Sequence, residues 1–375
     1  MERVRIPCIV GDGTGPDIWN ASKEVLEEAV IKAYGHEKEI EWIYLLAGQN
    51  ALEKKGVLLP EETIETIREI RFAIKGPLTT PVGGGFRSLN VYLRQIFDLY
   101  VCLRPIKYIK GLPSPIRNPE RVDIIVFREN TEDVYKGIEW EAESEDAKKV
   151  ISFLREKMKA DIPEDSGIAV KPISRKGTER FVRWVINYAL AHRRKKITIV
   201  HKGNIMKYTE GAFRAWAYEV AKGFTETSYG KDLVINDIIA DNMFMQVILR
   251  PEEYDILLCP NLNGDYLSDC CAALIGGLGV APGANIGDEV AIFEPTHGSA
   301  PKYANKDVVN PLSFILSACM LFDHIGLNRA RELIEKSIEK TLSEGIMTYD
   351  LARHADGVKP VRCSEFGKAL LERME

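Results

Sequence analysis

Short apolar runs alternate along the chain with stretches whose apolar residues recur every three or four positions. The first run, residues 6–10, predicts a buried strand, and Ile18, Ala21, Val25 and Ala29 then follow at helical spacing. Similar runs predict strands at 41–46, 72–75, 122–127, 197–200, 255–259 and 290–294. Helical spacing recurs at 61–69, 178–191 and 209–221 and through most of the chain from residue 311 onward. This alternation predicts an α/β fold with a largely parallel sheet.

A chain of 375 residues exceeds what one small core usually holds, so two domains are expected. The sequence contains no internal repeat and no Gly/Ser linker, so strands must cross between the two lobes. A cleft between such lobes is where small ligands usually bind. The acidic segment 140–149, followed by the Lys-rich segment 155–159, predicts a solvated protrusion.

Composition and charge narrow the class of protein. The net charge of −5 gives no reason to expect nucleic acid or a membrane as the main partner. No apolar run reaches the ~18 residues that a membrane span requires, and the N-terminal residues do not resemble a signal peptide. The seven cysteines form no CxxC pair, which is typical of reduced thiols in a cytoplasmic protein.

Two glycine-rich loops follow predicted strands. The first, 11–15, does not have GxGxxG spacing, so it predicts a tight strand-to-helix turn more readily than a dinucleotide loop. The second, 75–85, is rich in Gly, Pro and Thr and offers hydroxyls and close backbone approach to a ligand. A long surface turn is the alternative for the second loop.

A group of polar and cationic residues directly follows the second loop. If residues 88–95 are helical, Ser88, Asn90 and Arg94 can share one face. Together with Arg104 and Arg128, Arg94 would form a three-arginine clamp suited to a di- or tricarboxylate. Each arginine taken alone is more often part of a surface salt bridge.

Carboxylates without nearby His or Cys predict a magnesium or manganese site. Asp265 and Asp269 are four residues apart, which places both on one helix face, and Asp241 is a third candidate. Solvated helix acids are the alternative. Lys202 follows a predicted strand and is either a base whose pKa is lowered by burial or a surface lysine. The loop 297–303 contains Lys302 and could wrap an adenine nucleotide.

Six motifs in order along nearly the whole chain closely resemble the bacterial-type NADP-dependent isocitrate dehydrogenases of the isocitrate/isopropylmalate dehydrogenase family. The motifs are KGPLTTP from Lys75, RSLNV from Arg87, FRENTEDVY from Phe127, HKGNIMK from His201, NGDYLSD from Asn263 and EPTHGSAP from Glu294. The resemblance implies a non-Rossmann, isopropylmalate dehydrogenase-like fold. It implies a large α/β domain (1–99 and 276–375) and a smaller α/β domain (100–275), whose clasp (133–172) forms a homodimer.

The resemblance also assigns roles to residues. The substrate carboxylates would be held by Ser88, Asn90, Arg94, Arg104 and Arg128. Asp265 and Asp269 would bind Mg²⁺ or Mn²⁺ together with Asp241 of the partner subunit, so that the two active sites are shared. Lys202 of that partner would assist removal of the hydroxyl proton, and Tyr135 would protonate the enol carbon after CO₂ leaves.

NADP is the cofactor that the resemblance implies. NADP-linked members carry the equivalents of Lys302, Tyr303, Tyr349 and Arg353, and Arg250 resembles a phosphate contact from the second subunit. NAD-linked members tend to have Asp at the position of Lys302, and a 2′-phosphate requires cations and hydroxyls. The remaining cofactor-binding positions are Thr79, Asn204, Gln246, His297, Gly298 and Asn310.

The implied reaction is oxidation and decarboxylation of isocitrate to 2-oxoglutarate and CO₂ in the tricarboxylic acid cycle, with the reverse direction left open. Ser88 and Asn90 favour the polar γ-carboxylate of isocitrate. A homoisocitrate or isopropylmalate dehydrogenase is the first alternative. A Mg²⁺-dependent phosphatase and a non-catalytic carboxylate-binding protein are alternatives from other classes, and neither explains Lys302, Tyr349 and Arg353.

Overall fold

The computed structural model describes residues 2–79, 88–227 and 230–375. Its strands in these ranges are β1 (Glu2–Ile9), β2 (Lys38–Tyr44), β3 (Phe72–Lys75), β4 (Val101–Lys107), β5 (Asp123–Glu129), β6 (Glu139–Trp140), β7 (Ile168–Ala169), β8 (Lys196–His201), β9 (Val234–Ile239), β10 (Ile256–Cys259), β11 (Pro282–Ile286) and β12 (Ala291–Pro295). Its helices there are α1 (Gly15–Tyr34), α2 (Gln49–Lys55), α3 (Glu61–Ile70), α4 (Leu89–Ile96), α5 (Glu145–Met158), α6 (Arg175–Ala191), α7 (Glu210–Thr225), α8 (Ala240–Leu249), α9 (Asn261–Ala273), α10 (Leu312–His324), α11 (Asn328–Ser343), α12 (Tyr349–Ala352) and α13 (Cys363–Arg373).

One sheet runs through the whole molecule in the order β2-β1-β3-β12-β11-β4-β5-β10-β8-β9. Neighbouring strands pair parallel on both sides of the sheet. In the middle, β11 and β4 pair antiparallel with each other and with their outer neighbours. The predicted α/β class and the largely parallel sheet are therefore confirmed. Strand β10 is buried along its full length, as expected where helices cover both faces of a sheet.

Helices pack on the sheet to form the core. On one flank α1 contacts α11 and α13, and α10 packs on β11 and β12, while α6 and α7 pack together on the other flank. Helix α10 is apolar on nearly all sides, with Phe314, Ile315 and Phe322 fully buried. Among the described residues, no helix combines the length and apolar character that crossing a membrane requires.

The predicted domain division remains a prediction. Its boundaries would assign β1–β3, β11 and β12 to the large domain and β4, β5 and β8–β10 to the small one. The β11–β4 pairing, Ala284 to Leu103 through Ile286 to Val101, would then join the two domains.

The segment 140–149, predicted to be a solvated protrusion, is mostly exposed, and its second half forms the start of a helix. Ser144 caps helix α5 by accepting a hydrogen bond from the Ala147 amide, and the helix continues through the Lys-rich segment. Of this helix only Ala147 and Ile151 are buried, although Val150, Leu154 and Met158 continue the same helical spacing. Nearby, β6 and β7 pair as a separate two-stranded antiparallel sheet, within the segment predicted to be the clasp.

Candidate active site

Helix α4 holds the first group of predicted substrate residues. The predicted helix at 88–95 is confirmed, because α4 begins at Leu89 with Ser88 at its N-cap position. Asn90 and Arg94 lie four residues apart on α4, and Arg94 is buried. Residues 80–85 of the predicted ligand-binding loop 75–85 lie outside the described residues.

A buried ion cluster forms where β3, β12 and α4 meet. The Glu294 carboxylate pairs with the Lys75 ammonium, and its Oε1 lies 3.5 Å from Arg94 Nη2. The Asn285 amide donates to the same oxygen at 2.6 Å. Burial alone would raise the pKa of Glu294, but Lys75 and Arg94 lower it to about 2. Sequence reasoning did not identify Lys75 or Glu294 as members of a cluster, although both are charged residues at the ends of buried strands.

We expect Glu294 to make stability depend on acid pH. Because its folded-state pKa is lowered, its contribution is present above about pH 4.5 and is lost as the pH falls towards 2. Between about pH 6 and pH 3 the wild type should lose about 2 kcal/mol more unfolding free energy than Glu294→Gln. Urea unfolding at each pH measures this difference, and Glu69→Gln, at an exposed ion pair, is the control. Equal pH slopes for wild type and Glu294→Gln would contradict the assignment.

Arg128 is at the centre of the second group. Its side chain is 1% exposed, its Nε donates to Asn261 Oδ1 at 2.7 Å, and its Nη1 pairs with Asp265. The guanidinium also lies 4.6 Å from the centre of the Tyr135 ring, whose hydroxyl donates to Asp265. Burial, and then the bond to Asp265, raise the pKa of Tyr135. The Tyr135 hydroxyl therefore carries its proton at neutral pH.

Arg104 and Asp269 form the third group. Arg104 Nη1 donates to Ser268 Oγ at 2.5 Å and to Asp269 Oδ1 at 3.2 Å. Asp265 and Asp269 both lie on α9, four residues apart, and each faces an arginine. Burial alone would raise the pKa of Asp265, but Arg128 lowers it below the ordinary value. Burial raises the pKa of Asp269 despite Arg104.

Three buried polar atoms in these groups have no hydrogen-bond partner among the described residues: Asn90 Oδ1, Arg94 Nε and Arg128 Nη2. A buried polar group without a partner destabilises a protein by roughly 1–3 kcal/mol. Natural proteins therefore retain such groups mainly where a ligand or water completes them. The set combines an amide oxygen and two guanidinium N–H groups, which suits an anionic molecule that also carries a hydroxyl.

Lys202 and Asp241 form a separate pair. Lys202 Nζ lies 2.6 Å from Asp241 Oδ1, and this bond lowers the pKa of Asp241. The Asp241 side chain is 69% exposed. In the part of the chain that the structure describes, no three His, Cys, Asp or Glu residues cluster to hold a metal. Asp241 therefore does not join Asp265 and Asp269 within one chain.

The predicted cofactor residues fall into two sets. In the first set, the Tyr303 and Tyr349 rings are 5.9 Å apart and the Lys302 ammonium lies 4.8 Å from the Tyr303 ring. Neighbouring contacts of this set are Thr79 Oγ1 to Ser299 Oγ at 2.7 Å, Asn310 Nδ2 to Asp350 Oδ2 at 3.1 Å, His297 Nδ1 to Gly298 O at 3.0 Å and Arg353 Nε to His354 Nε2 at 3.0 Å.

The second set of cofactor residues lies on the segments that also carry Lys202 and Asp241. Arg250 Nε donates to Gln246 Oε1 at 3.0 Å at the end of α8, and Asn204 is exposed in the loop after β8. The structure therefore brings Lys302, Tyr303 and Tyr349 together, while Asn204, Gln246 and Arg250 accompany the Lys202–Asp241 pair.

Comparison with known proteins defines the class to which this fold and site belong. Residues 5–370 match the family model described as isocitrate/isopropylmalate dehydrogenase, and the chain belongs to this family. This confirms the family that the six motifs indicated.

Within the family, similar proteins carry a more specific name. The chain is 52% identical to the isocitrate dehydrogenase [NADP] of Archaeoglobus fulgidus, with 99% of this chain and 92% of that protein covered. It is 51% identical to the isocitrate dehydrogenase [NADP] of Staphylococcus epidermidis, with 98% and 95% covered. The crystal structure of isocitrate dehydrogenase from Methylococcus capsulatus matches with a TM-score of 0.84 at 38% identity, covering 99% of each chain.

Proposed function

We propose that this chain catalyses the NADP-dependent oxidation and decarboxylation of isocitrate to 2-oxoglutarate and CO₂, with Mg²⁺ or Mn²⁺, as in the tricarboxylic acid cycle. The names of relatives that are about half identical over nearly the full chain support this activity. The observation that carries the proposal is the group of buried, unpartnered polar atoms on Asn90, Arg94 and Arg128. The two guanidinium N–H groups can donate to the carboxylates of isocitrate, and the amide oxygen of Asn90 can accept from its hydroxyl.

The arginines would bind the substrate. Arg94, Arg104 and Arg128 are all buried, and buried guanidinium groups form strong paired hydrogen bonds with carboxylates. Three arginines match the three carboxylates of isocitrate in number. Ser88 and Asn90, at the start of α4, add a hydroxyl and an amide that suit the γ-carboxylate. An isopropyl group in the same place would leave these polar groups without a partner.

Asp265 and Asp269, with Asp241 of the partner subunit, would hold the divalent metal. Their carboxylate oxygens are the ligands that Mg²⁺ and Mn²⁺ prefer, and the lowered pKa of Asp265 keeps it ionised. The bound metal would supply Lewis-acid stabilisation of negative charge on the substrate oxygens. The arginines that now neutralise Asp265 and Asp269 would then be free to turn to the substrate carboxylates.

Two side chains would move protons. Lys202 of the partner subunit would assist removal of the proton from the substrate hydroxyl, so that the hydride can leave for NADP. After CO₂ departs, the carbon that carried it requires a proton. Tyr135 would donate this proton, since its raised pKa keeps the hydroxyl protonated.

A homodimer would bring the divided site together. Large apolar side chains are exposed around the Lys202–Asp241 pair and on α9 and α5: Ile205, Tyr208, Leu249, Tyr266, Phe153 and Met158 are between 57% and 92% exposed. Large apolar side chains exposed in this number often belong to an interface. A second copy covering them would carry Asp241 and Lys202 into the site of the first. The unpaired thiols of all seven cysteines support a cytoplasmic location.

NADP selectivity should depend on the first cofactor set. Lys302 and Arg353 are exposed cations beside Tyr303 and Tyr349, and such groups favour a 2′-phosphate. We expect Lys302→Asp with Arg353→Ala to lower the kcat/KM ratio of NADP over NAD by about 10²- to 10³-fold, at roughly 1.4–2 kcal/mol for each lost contact. Steady-state kinetics with both cofactors measure the ratio. Lys222→Asp, at an exposed ion pair of α7, is the control, and an unchanged ratio in the double variant would contradict the role.

The activity itself is tested by following NADPH absorbance with isocitrate, Mg²⁺ and either NADP or NAD. Fast reduction of NADP with isocitrate, and with neither of the other two acids, supports the proposal. Isopropylmalate and homoisocitrate are the matched controls, because turnover with either would show that Ser88 and Asn90 select another acid. Absence of turnover with any of the three acids would contradict the proposed activity.

A further inference from the structure

We propose that Lys171 is a positioning residue that aligns Tyr135 and Lys202 for catalysis through a buried ion triad with Asp133 and Glu210. This inference rests on the proposed function, because it assumes that both side chains serve the reaction. Asp133 is 1% exposed and Glu210 is fully buried, whereas the Lys171 side chain is 17% exposed. The triad is defined as Lys171, Asp133 and Glu210.

Lys171 is central to the triad. Its ammonium lies 2.6 Å from Asp133 Oδ1 and 3.0 Å from Glu210 Oε1. Within the described ranges it is the only cationic side chain that pairs with either acid, and Glu210 Oε1 accepts no hydrogen bond there. Two buried carboxylates therefore depend on one ammonium, and an uncompensated buried charge is strongly unfavourable.

The first acid, Asp133, holds the turn that carries Tyr135. Its backbone has φ = 65°, which is uncommon for a non-glycine residue, although Asp adopts it more readily than most. Its Oδ1 accepts from the Val134 amide at 2.7 Å, and its Oδ2 accepts from the Leu262 amide at 3.1 Å. Asp133 thus holds the turn that contains Tyr135 against the first turn of α9. Helix α9 also carries Asp265.

The second acid, Glu210, holds the loop that carries Lys202. Its Oε2 accepts from the Lys202 backbone amide at 2.6 Å and from Asn263 Nδ2 at 2.8 Å. Glu210 thus holds the Lys202 loop against Asn263, in the same turn of α9 and two residues before Asp265. Because Lys171 bridges Asp133 and Glu210, one ammonium sets the positions of both proton-transfer side chains.

In the proposed homodimer the triad would serve two active sites. Tyr135 belongs to the site of its own chain, whereas Lys202 reaches the site of the partner. A triad in one chain therefore positions a proton donor in one site and a proton acceptor in the other. Loss of Lys171 in a single chain should impair both.

The test compares Lys171→Met with Lys171→Arg, and uses Lys222→Met at an exposed ion pair of α7 as the control. We expect Lys171→Met to lower kcat by about 10- to 100-fold, because small displacements of catalytic groups have effects of this size. KM for isocitrate should stay within about 3-fold, since Arg94 and Arg104 lie on α4 and β4. Lys171→Arg should recover most of kcat. Wild-type kcat in Lys171→Met, or a rise in KM that accounts for the loss, would overturn the proposal.

Two further measurements keep the result interpretable. If Lys171→Met does not fold, Lys171→Met with Glu210→Gln restores the native net charge of the triad but not the bridge. That double variant should still show the low kcat, and wild-type kcat would overturn the proposal. Mixed dimers of one wild-type and one Lys171→Met chain should have well under half of wild-type activity, whereas half activity would overturn the role in both sites. A wild type that is inactive with isocitrate would instead refute the proposed function.

Discussion

Replacing Asp265 by Asn is expected to lower kcat by about 10³-fold or more. The carboxylate is proposed to hold the divalent metal, whose stabilisation of charge on the substrate is worth several kcal/mol, and about 4 kcal/mol corresponds to 10³ in rate. Asp265 also pairs with Arg128 and accepts from Tyr135. Its loss therefore removes a metal ligand and frees the proton donor from its position.

The measurement is kcat at saturating isocitrate and NADP over a range of Mg²⁺ concentrations. The apparent affinity for Mg²⁺ should fall by about 10²-fold or more, since one of few charged ligands is lost. Asp232→Asn, at an exposed position between α7 and β9, is the matched control and should behave like wild type. Wild-type dependence on Mg²⁺ in Asp265→Asn would remove Asp265 from the metal site.

Mixing two inactive variants is expected to restore activity. Tyr135→Phe and Lys202→Met should each lower kcat by about 10²-fold or more, because each removes a proton-transfer group. In a heterodimer of the two, one site contains both defects and the other contains neither, provided that Lys202 serves the partner. Random mixing gives half heterodimers, each with one intact site, so about one quarter of wild-type activity should return, a gain of roughly 25-fold or more.

The experiment refolds the two variants together from denaturant and measures NADPH formation against each variant refolded alone. Refolding Tyr135→Phe with Asp265→Asn is the control, because both residues belong to the same chain's site. That mixture should yield heterodimers with no intact site. Failure of Tyr135→Phe and Lys202→Met to complement, with heterodimers demonstrated by two different affinity tags, would show that each chain has a complete site of its own.

The parts of the fold that the sequence predicts well are those with uninterrupted apolar runs. Strand β3 occupies the predicted residues 72–75, and α4 begins within one residue of its predicted start. Strand β4 was missed because Arg104 and Pro105 interrupt its apolar run. Strand β9 was missed because it contains Asn236 and Asp237, which are satisfied only by tertiary contacts such as Asp237 with His201 and Arg214.

For the candidate site, residue types were predictable from the sequence but their partners were not. The three arginines and the two acids of α9 stand out by type and spacing. The pairing of Arg94 with Glu294, however, joins positions 200 residues apart, and the pairing of Lys171 with Asp133 joins positions 38 apart. Such contacts depend on which segments of the chain become neighbours in the fold. No local pattern encodes that choice.

The antiparallel centre of the sheet determines how this protein can be divided. Strand β4 pairs along its edge with β11, which arrives from a part of the chain more than 170 residues later in the sequence. In a fragment of residues 100–275, strand β4 would lie at the edge of the sheet without a partner. An unpaired strand edge is a template for aggregation. The counterpart of this fragment would need two unconnected segments, 1–99 and 276–375, to find each other. The protein therefore has to be produced and studied as one continuous polypeptide.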